Sequence, residues 1–368
     1  MAFEEVKLSE LASYISRGIT PAYVKVDGIS VINQKCIRNG VVSLTEARLH
    51  DVAKKKVPAD KLLQQGDILV NSTGTGTLGR VAQVTEPLLA TVDSHVTIVR
   101  PRDGVDPLFL GYAVKWRQPY IEALAEGSTG QTELSRYRLG EEITIPLPSL
   151  PVQQQIGRLL YAIDCKIKIN NKINDNLQQQ AQAVYTAMFI SNADPAWVQG
   201  RLSDLITVKY GKDHKKLADG VYPVFGSGGI MRYVERPLYT EESVLIPRKG
   251  TLNNVIYVNE PFWSVDTMFF TEMKMPNVAK FVFHFVKAKD LASMNAGSAV
   301  PSMTTDILNA MELAIPSAER LAEFESVVAP MYQAIQANNR ESAKLVEVRD
   351  SLLPQLMSGE VDVSSVQV

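Results

Sequence analysis

Two long segments of this sequence carry apolar residues at alternating spacings of four and three, the heptad pattern of a helix that packs against another helix. The first seam consists of Ile156, Leu160, Ile163, Ile167, Asn170, Asn174, Leu177, Ala181, Val184 and Met188. The second seam, 168 residues later, consists of Phe324, Val328, Met331, Ile335, Asn338, Ser342, Leu345, Arg349, Leu352 and Leu356. A helix of this length, about 50 Å at about 1.5 Å per residue, needs a partner for its apolar stripe. We therefore predict that the two helices pair, in antiparallel orientation.

Charge and polar residues support this pairing. The first helix has four basic and two acidic residues and the second has four basic and six acidic residues, so their net charges are opposite. Asn170 and Asn338 occupy matching seam positions, where a polar residue costs stability but fixes the register. Arg349 interrupts the second seam, and Pro330 and Pro354 predict kinks in it. The alternative is two separate helices, each packed on its own domain.

The chain also repeats itself. Four blocks recur in the same order with shrinking offsets, which indicates duplication followed by small deletions in the second copy. The matches are 8–11 with 202–205 (offset 194), 67–75 with 243–251 (176), Val92-Asp93 with Val265-Asp266 (173), and Gly127-Ser128 and Ile145-Pro146 with Gly297-Ser298 and Ile315-Pro316 (170).

Each copy starts with short Val-, Ile-, Thr- and Tyr-rich runs separated by Gly, Pro and Asn, which is typical of β-strands and turns. We predict an α+β fold in which two β-rich domains are separated by a pair of long antiparallel helices, a coiled coil, and are related by a pseudo-two-fold internal repeat. The predicted segments are a first domain at 1–150, a central helix at 151–190, a second domain at 191–316, a distal helix at 317–358 and a tail at 359–368.

Composition excludes several other classes. The net charge of −2 gives no global attraction to nucleic acid or acidic membranes, so any such binding must come from local clustering. Two cysteines and four scattered histidines make a metal centre unexpected. No apolar run approaches the length of a membrane span, and the first residues are acidic rather than basic and apolar, so we expect a cytoplasmic protein.

One motif points to a nucleotide but lacks the right context. Residues 74–79 (GTGTLG) match the glycine pattern of a dinucleotide site, with Asp93 nineteen residues after Gly74. Such a site needs a helix to begin inside the motif, whereas 80–87 reads as a strand that ends at a turn. The Gly-x-Ser-x-Gly motif of serine hydrolases, the His-Glu-x-x-His motif of zinc proteases and the Asp/Asn-Pro-Pro-Tyr/Phe motif of base methyltransferases are absent from the sequence, so we expect no catalytic residues.

The repeated unit, a β-rich domain followed by a long helix, resembles the specificity subunit of type I restriction–modification enzymes. The resemblance is carried by GDILVNSTGTGTLGRVA (66–82), VDSHVTIVRP (92–101), IPLPSLPVQQQIGRLLYAIDCKIKINNKI (145–173), YPVFGSGGI (222–230) and RDSLLPQLMSGEV (349–361). It covers both halves in the family's order. The sequence departs from the family pattern at 317–320 (SAER), where a proline and glutamine run is usual.

The resemblance implies two target-recognition domains that each read one half of a bipartite sequence in double-stranded DNA, with the helices acting as a spacer. It also implies docking to two adenine-methyltransferase modification subunits, which use S-adenosylmethionine, and to ATP- and Mg-dependent restriction subunits. This chain itself would bind no cofactor and catalyse no reaction. Because its net charge offers little steering, we expect tight DNA binding only together with the methyltransferase partners.

Polar and basic residues near glycines are the candidates for DNA contact, because Lys, Arg and hydroxyls bind phosphates and Arg, Asn and Gln read base edges. The candidates in the first domain are Arg17, Gln34, Lys35, Arg38, Ser72, Thr73, Thr75, Arg80, Ser128, Thr129 and Gln131. Those in the second domain are Lys209, Lys212, Lys215, Lys216, Ser227, Arg232, Arg248, Lys249, Asn253 and Asn254. For each of them, a solvated surface side chain is the alternative.

Two other functions remain open at this point. The chain could serve a methylation-only or related phage-defence system without a nuclease. It could also be an assembly scaffold that brings two proteins together without reading DNA. Clustering of the basic candidates on one side of each domain favours recognition, whereas scattering over all faces favours a scaffold.

Overall fold

A computed structural model describes residues 3–126, 132–294 and 302–363. The strands of the first half are β1 (Glu4–Lys7), β2 (Ala12–Arg17), β3 (Tyr23–Val24), β4 (Ile29–Ile32), β5 (Ile37–Arg38), β6 (Val41–Val42), β7 (Arg48–His50), β8 (Ile68–Asn71), β9 (Val81–Gln83), β10 (Ala90–Val92), β11 (Val96–Pro101) and β12 (Thr144–Leu147). Its helices are α1 (Leu8–Leu11), α2 (Pro107–Trp116), α3 (Gln118–Ala123), α4 (Arg136–Glu141) and α5 (Leu150–Thr186), with 3-10 turns at Gln34–Cys36 and Ala59–Lys61.

The second half repeats this order with fewer elements. Its strands are β13 (Val198–Arg201), β14 (Ile206–Tyr210), β15 (Asp219–Gly226), β16 (Gly229–Val234), β17 (Ser243–Pro247), β18 (Ile256–Val258), β19 (Trp263–Ser264), β20 (Met268–Met273) and β21 (Glu312–Ile315). Its helices are α6 (Leu202–Leu205), α7 (Ala279–Lys287), α8 (Thr305–Asn309) and α9 (Ala318–Ser358), and a π-helical turn at Ala187–Ser191 follows α5.

The chain divides into two compact units. The first unit contains the described residues up to Asn170 and from Arg340 onward, and the second contains Asn171–Asn339. Each unit therefore holds one β-rich copy together with a part of α5 and a part of α9. None of the helices in the described ranges is long and apolar enough to cross a membrane.

The central sheet and the two-stranded sheet match strand for strand between the two units. The central antiparallel sheet has the order β2-β11-β8-β9 in the first unit and β14-β20-β17-β18 in the second. Beside it, a parallel pair recurs as β10 with β4 and as β19 with β15, and a two-stranded sheet recurs as β1 with β12 and as β13 with β21. The predicted α+β fold and internal repeat are confirmed.

Backbone hydrogen bonds correct the alignment of the repeats in two places. The Asp93 amide donates to the Ile32 carbonyl, and the Val265 amide donates to the Phe225 carbonyl, both at 3.0 Å. Asp93 is thus equivalent to Val265, an offset of 172 rather than 173, and Asp266 takes the place of Ser94 instead. Asp93 is buried and Asp266 is exposed, so the repeated Val-Asp dipeptide reflects similar composition rather than equivalent positions.

The second correction concerns the strand that precedes each long helix. Glu4 pairs with Leu147 in the first unit, and its equivalent Val198 pairs with Ile315 in the second. Ile315-Pro316 therefore matches Leu147-Pro148, at an offset of 168, and not Ile145-Pro146. This is the same offset as that of the helical seams, so strand and helix form one uninterrupted repeat.

The two long helices pair in antiparallel orientation within each unit. In the first unit, Asn170 donates to the Ser342 hydroxyl at 3.2 Å, and Arg349 donates to Asp164 at 2.6 Å. In the second unit, Asn338 donates to Asn174 at 2.8 Å. Asn170 lies after Asp164 along α5, whereas its partner Ser342 lies before Arg349 along α9. The two helices therefore run in opposite directions, which confirms the predicted orientation.

The seam residues lie at or beside the cores of both units. Those that are buried include Ile156, Leu160, Ala181, Met188, Phe324, Val328, Ile335 and Leu356. Arg349 interrupts the apolar seam as predicted, and its guanidinium pairs with Asp164 of the facing helix. α9 is helical from Ala318 to Ser358, so neither Pro330 nor Pro354 ends it, and the kinks expected at these prolines stay a prediction.

Candidate nucleic-acid interface

In the first unit, the loops that join the central strands meet at one end of the sheet, here called the first tip (17–19, 33–36, 72–79 and 93–95). The Gly18 amide donates to the Val96 carbonyl at 3.1 Å, and the Ser72 amide donates to the His95 carbonyl at 2.8 Å. Gln34 donates to the Thr73 hydroxyl at 2.7 Å. The tip therefore brings together side chains from four separate loops.

The second unit has an equivalent end, here called the second tip (210–212, 226–229, 248–254 and 265–267). The Gly211 amide donates to the Met268 carbonyl at 3.1 Å, and the Arg248 amide donates to the Thr267 carbonyl at 2.8 Å. Asn254 donates to the Ser227 carbonyl at 2.9 Å. The same backbone hydrogen bonds thus hold both tips, with Arg248 in the place of Ser72.

A glycine closes each tip, and the sequence reasoning missed both. A Cβ atom on Gly18 would lie 2.0 Å from the Val92 carbonyl oxygen, and one on Gly211 would lie 2.0 Å from the Val265 carbonyl oxygen. Since backbone atoms cannot move away as a flexible side chain can, only glycine fits at these positions. The repeat could have identified this pair from the sequence. Gly18 and Gly211 are 193 residues apart, and this separation lies between the offsets of 194 and 176 that relate the repeat blocks on either side of them.

Several of the predicted DNA contacts are exposed, and most of these belong to the tips or adjoin them. They are Lys35, Arg38, Thr75, Lys212, Lys215, Lys216, Lys249 and Asn253. Asn253 also donates to Asp290 at 3.1 Å.

Other candidates are engaged within the protein. Arg17 forms an ion pair with Glu133 and donates to the Leu134 carbonyl, beside a surface cavity that it lines with Arg136. Intramolecular partners also hold Arg80 (Gly76 carbonyl, 2.7 Å), Lys209 (Glu272, 3.4 Å), Arg232 (Asp219, 2.8 Å) and Arg248 (Asp266 carbonyl, 3.2 Å). These groups would have to share or exchange their partners to bind DNA.

One candidate is unsuited to DNA contact in this structure. The Ser72 side chain is fully buried, and its hydroxyl lies 2.5 Å from that of Thr97 on the neighbouring strand. Sequence reasoning selected Ser72 as a polar residue near glycines, whereas it directly follows β8 and its amide still donates to the His95 carbonyl. The remaining candidates Ser128, Thr129 and Gln131 lie outside the described residues.

Asp93 organises the turn at the first tip. Its carboxylate accepts a hydrogen bond from the His95 amide at 2.9 Å, and burial raises the pKa of the Asp93 carboxyl group. His95 itself is exposed and bonds the Thr73 hydroxyl through Nδ1 at 2.8 Å. The turn therefore presents a histidine edge and a hydroxyl together, two groups that hydrogen bond readily with phosphates or base edges.

The glycine-rich segment does not have the geometry of a dinucleotide site. The Leu78 amide donates to the Gly74 carbonyl at 2.9 Å, which closes a turn, and the chain then continues as β9. No helix begins there to face a pyrophosphate. Within 3–126, 132–294 and 302–363, no group of three His, Cys, Asp or Glu side chains is placed to hold a metal ion.

Comparison with known proteins identifies relatives along most of the chain. The family model described as the type I restriction modification DNA specificity domain matches residues 2–179 and 196–341, one match for each copy. The type I restriction enzyme MjaIX specificity subunit of Methanocaldococcus jannaschii is 24% identical over 375 residues, covering 90% of this chain and 84% of that protein. The EcoprrI specificity subunit of Escherichia coli is 24% identical over 299 residues, covering 74% and 72%.

The fold also resembles a solved structure. The crystal structure of a type I restriction–modification system S subunit from M. genitalium superposes with a TM-score of 0.62 at 18% sequence identity, and the match covers 96% of each chain. At this identity, the likeness concerns the fold.

Proposed function

The chain belongs to the type I restriction–modification DNA specificity family, and from this premise we propose that it reads a bipartite target in double-stranded DNA, with one tip on each half-site. Chemistry would be left to partner subunits. Two modification subunits would methylate adenine with S-adenosylmethionine, and restriction subunits would use ATP and Mg. The specificity role is supported by the names of the two relatives, which are type I restriction enzyme specificity subunits, and the partner subunits and their chemistry follow from the family resemblance of the sequence.

The observation that carries the proposal is that one backbone frame presents two different sets of side chains. The Ser72 and Arg248 amides occupy equivalent positions, and so do the His95 and Thr267 carbonyls. The first tip carries Gln34, Lys35, Thr73 and His95, whereas the second carries Lys212, Arg248, Lys249 and Asn253, so the two sets of side chains differ. Because base recognition depends on the pattern of donors and acceptors, equal frames with unequal side chains are suited to two different half-sites.

The test is to map the methylated bases in a host that expresses this chain with the modification subunit encoded beside it. Single-molecule sequencing should show an adenine-methylation motif of two short defined parts separated by an unspecified spacer. A continuous motif would contradict the two-tip reading, and methylation without any motif would favour the scaffold.

Substitutions at a tip would show which half of the methylation motif that tip reads. Arg248→Ala combined with Lys249→Ala should relax one half of the motif and leave the other unchanged. The control is Lys274→Ala, because Lys274 follows the opposite end of β20 and donates to the Ser203 carbonyl at 2.6 Å. Over the six residues of β20, these sites lie about 20 Å apart at about 3.3 Å per residue. If the tip and control variants alter the motif equally, the tips do not read DNA.

A further inference from the structure

The hairpin formed by β15 and β16 in the second unit displays apolar side chains to solvent. Ile230 is 52% exposed, Met231 59% and Tyr233 48%, all on β16. In the sheet order β16-β15-β19, β16 is an edge strand. Side chains of this kind are normally covered, so their grouping on one strand indicates a contact surface.

The exposure is built into a fixed hairpin. Val224 and Phe225 on β15 are buried in the apolar core of the unit, and they pair with β19. On β16, Arg232 donates to Asp219 and to the Leu217 carbonyl at 2.8 and 2.9 Å. Ile230 and Met231 are therefore presented by an edge strand that is anchored to β15 and to the segment before it.

Basic side chains surround this apolar strand. Exposed Lys215 and Lys216 precede Leu217, whose carbonyl accepts the Arg232 bond. On the other side, the hairpin turn touches the second tip, because the Ser227 carbonyl accepts from Asn254 and a Cβ on Gly250 would lie 2.6 Å from the Ser227 hydroxyl. Lys212, Arg248 and Lys249 complete this basic rim, which also contains the exposed acids Asp213, Asp219, Glu235 and Asp266. An apolar strand with basic residues beside it is complementary to a negatively charged polymer that also displays apolar groups.

We propose, on the basis of the function proposed above, that Ile230 and Met231 contact thymine methyl groups in the major groove of one half-site. The major groove of DNA admits a two-stranded β-ribbon, and the thymine C5 methyl is the apolar group displayed there. The basic rim would bind the flanking phosphates.

At the equivalent place the first unit has the short strands β5 and β6, where Val41 is 61% exposed on β6. Ile32 is the equivalent of Phe225, and the chain after it forms a 3-10 turn that exposes Lys35 and then Arg38. Because β16 groups three exposed apolar side chains on one strand, we expect the thymine contact at the half-site of the second tip, and the two half-sites should differ in their dependence on methyl groups.

The experiment uses the full chain assembled with its modification subunits and a duplex that carries the mapped motif. Thymines of the two half-sites are replaced one at a time by deoxyuridine, which removes only the methyl group. We expect at least one replacement in the half-site of the second tip to weaken binding about fourfold, the effect of burying one methyl group. In the Ile230→Ala, Met231→Ala double variant, binding should be weaker and the same replacement should have no further effect.

Val221→Ala is the matched control. Val221 is 77% exposed on the same hairpin, but it lies near the end remote from the turn, so its variant should keep the methyl dependence of the native chain. Circular dichroism of each variant checks that the hairpin folds.

Three results would overturn the thymine contact. These are a half-site without thymine on either strand, no effect of deoxyuridine at any position, or an effect that persists undiminished in the double variant. If the Arg248 and Lys249 variants still relax one half of the motif in such a case, the bipartite reading stands without this contact. If no half-site specificity is found at all, both proposals fail.

Discussion

The two units attach their β-rich copies to the helix pair at equivalent points but with different chemistry. In the first unit, Tyr112 of α2 donates to Asp164 of α5 at 2.6 Å, and Arg349 of α9 donates to the same carboxylate at 2.6 Å. In the second, His284 of α7 bonds Tyr332 of α9 at 2.9 Å and Gln182 of α5 at 2.8 Å. The contact centred on Asp164 is ionic, whereas the one centred on His284 is neutral, although Lys280 of α7 also forms an ion pair with Glu325 of α9 in the second unit.

The repeat offsets show that the two junctions share one ancestry. Tyr112 and His284 are 172 residues apart, the offset of the turns, while Asp164 and Tyr332 are 168 apart, the offset of the helices. A contact among three elements was therefore kept while its residues changed. The comparison shows that the two copies kept the place of this contact in the fold, although the chemical type of the contact changed.

Burial shifts the pKa values of Tyr112 and His284 in opposite directions. It raises the pKa of the Tyr112 hydroxyl, an effect that the neighbouring Asp164 carboxylate strengthens. It lowers the pKa of His284 to about 3, with a further contribution from Lys287. Both groups are thus held neutral near pH 7, and the second junction becomes sensitive to acid.

The largest expected effects are those that test whether both tips share one frame. Gly18→Ala and Gly211→Ala should each destabilise its own unit by about 3 kcal/mol, because the new methyl group would overlap a backbone carbonyl. Hydrogen exchange resolved by peptide measures the loss in each unit separately. Gly228→Ala is the control, since a Cβ there would meet no atom within 4 Å. Unequal losses at Gly18 and Gly211 would break the equivalence of the tips.

The next effect compares the ionic contact at Asp164 with the neutral contact at His284. Asp164→Ala leaves Tyr112 and Arg349 without their shared acceptor and should cost about 2 kcal/mol, since hydrogen bonds to charged groups are stronger than neutral ones. Gln182→Ala removes one neutral bond and should cost about 1 kcal/mol. Urea denaturation of both variants gives the comparison, and a larger loss for Gln182→Ala would contradict it.

The smallest effect is the dependence on pH. His284 has a lower pKa in the folded chain than the value of about 6.5 in an unfolded one, so the unfolded state binds more protons below that pH. Its contribution to stability is therefore present above about pH 6.5 and is lost as the pH falls toward 3. Between pH 7.5 and 5.5, the second unit should lose about 1 kcal/mol. His284→Gln should abolish this slope, and a slope that remains would assign it to other groups.

The sequence was a better guide to the helices and the repeat than to the tips. Heptad spacing located the seams from Ile156 to Met188 and from Phe324 to Leu356, because helical periodicity is a property of neighbouring residues along one chain. In contrast, the burial of Ser72 and the partners of Arg17 and Arg248 depend on loops far apart in sequence. The roles of the exposed tip residues in DNA contact stay predictions.

By itself, the sequence determined that two duplicated β-rich copies are each followed by a long helix, and that these helices pair in antiparallel orientation around central asparagines. Only the tertiary structure decided which residues of the copies are equivalent, as when Val265 rather than Asp266 takes the place of Asp93. The physical reason is that two similar sequences can be aligned almost equally well when one is shifted by a single residue. Backbone hydrogen bonds cannot do so, because each amide reaches only the carbonyl that the neighbouring strand places in front of it.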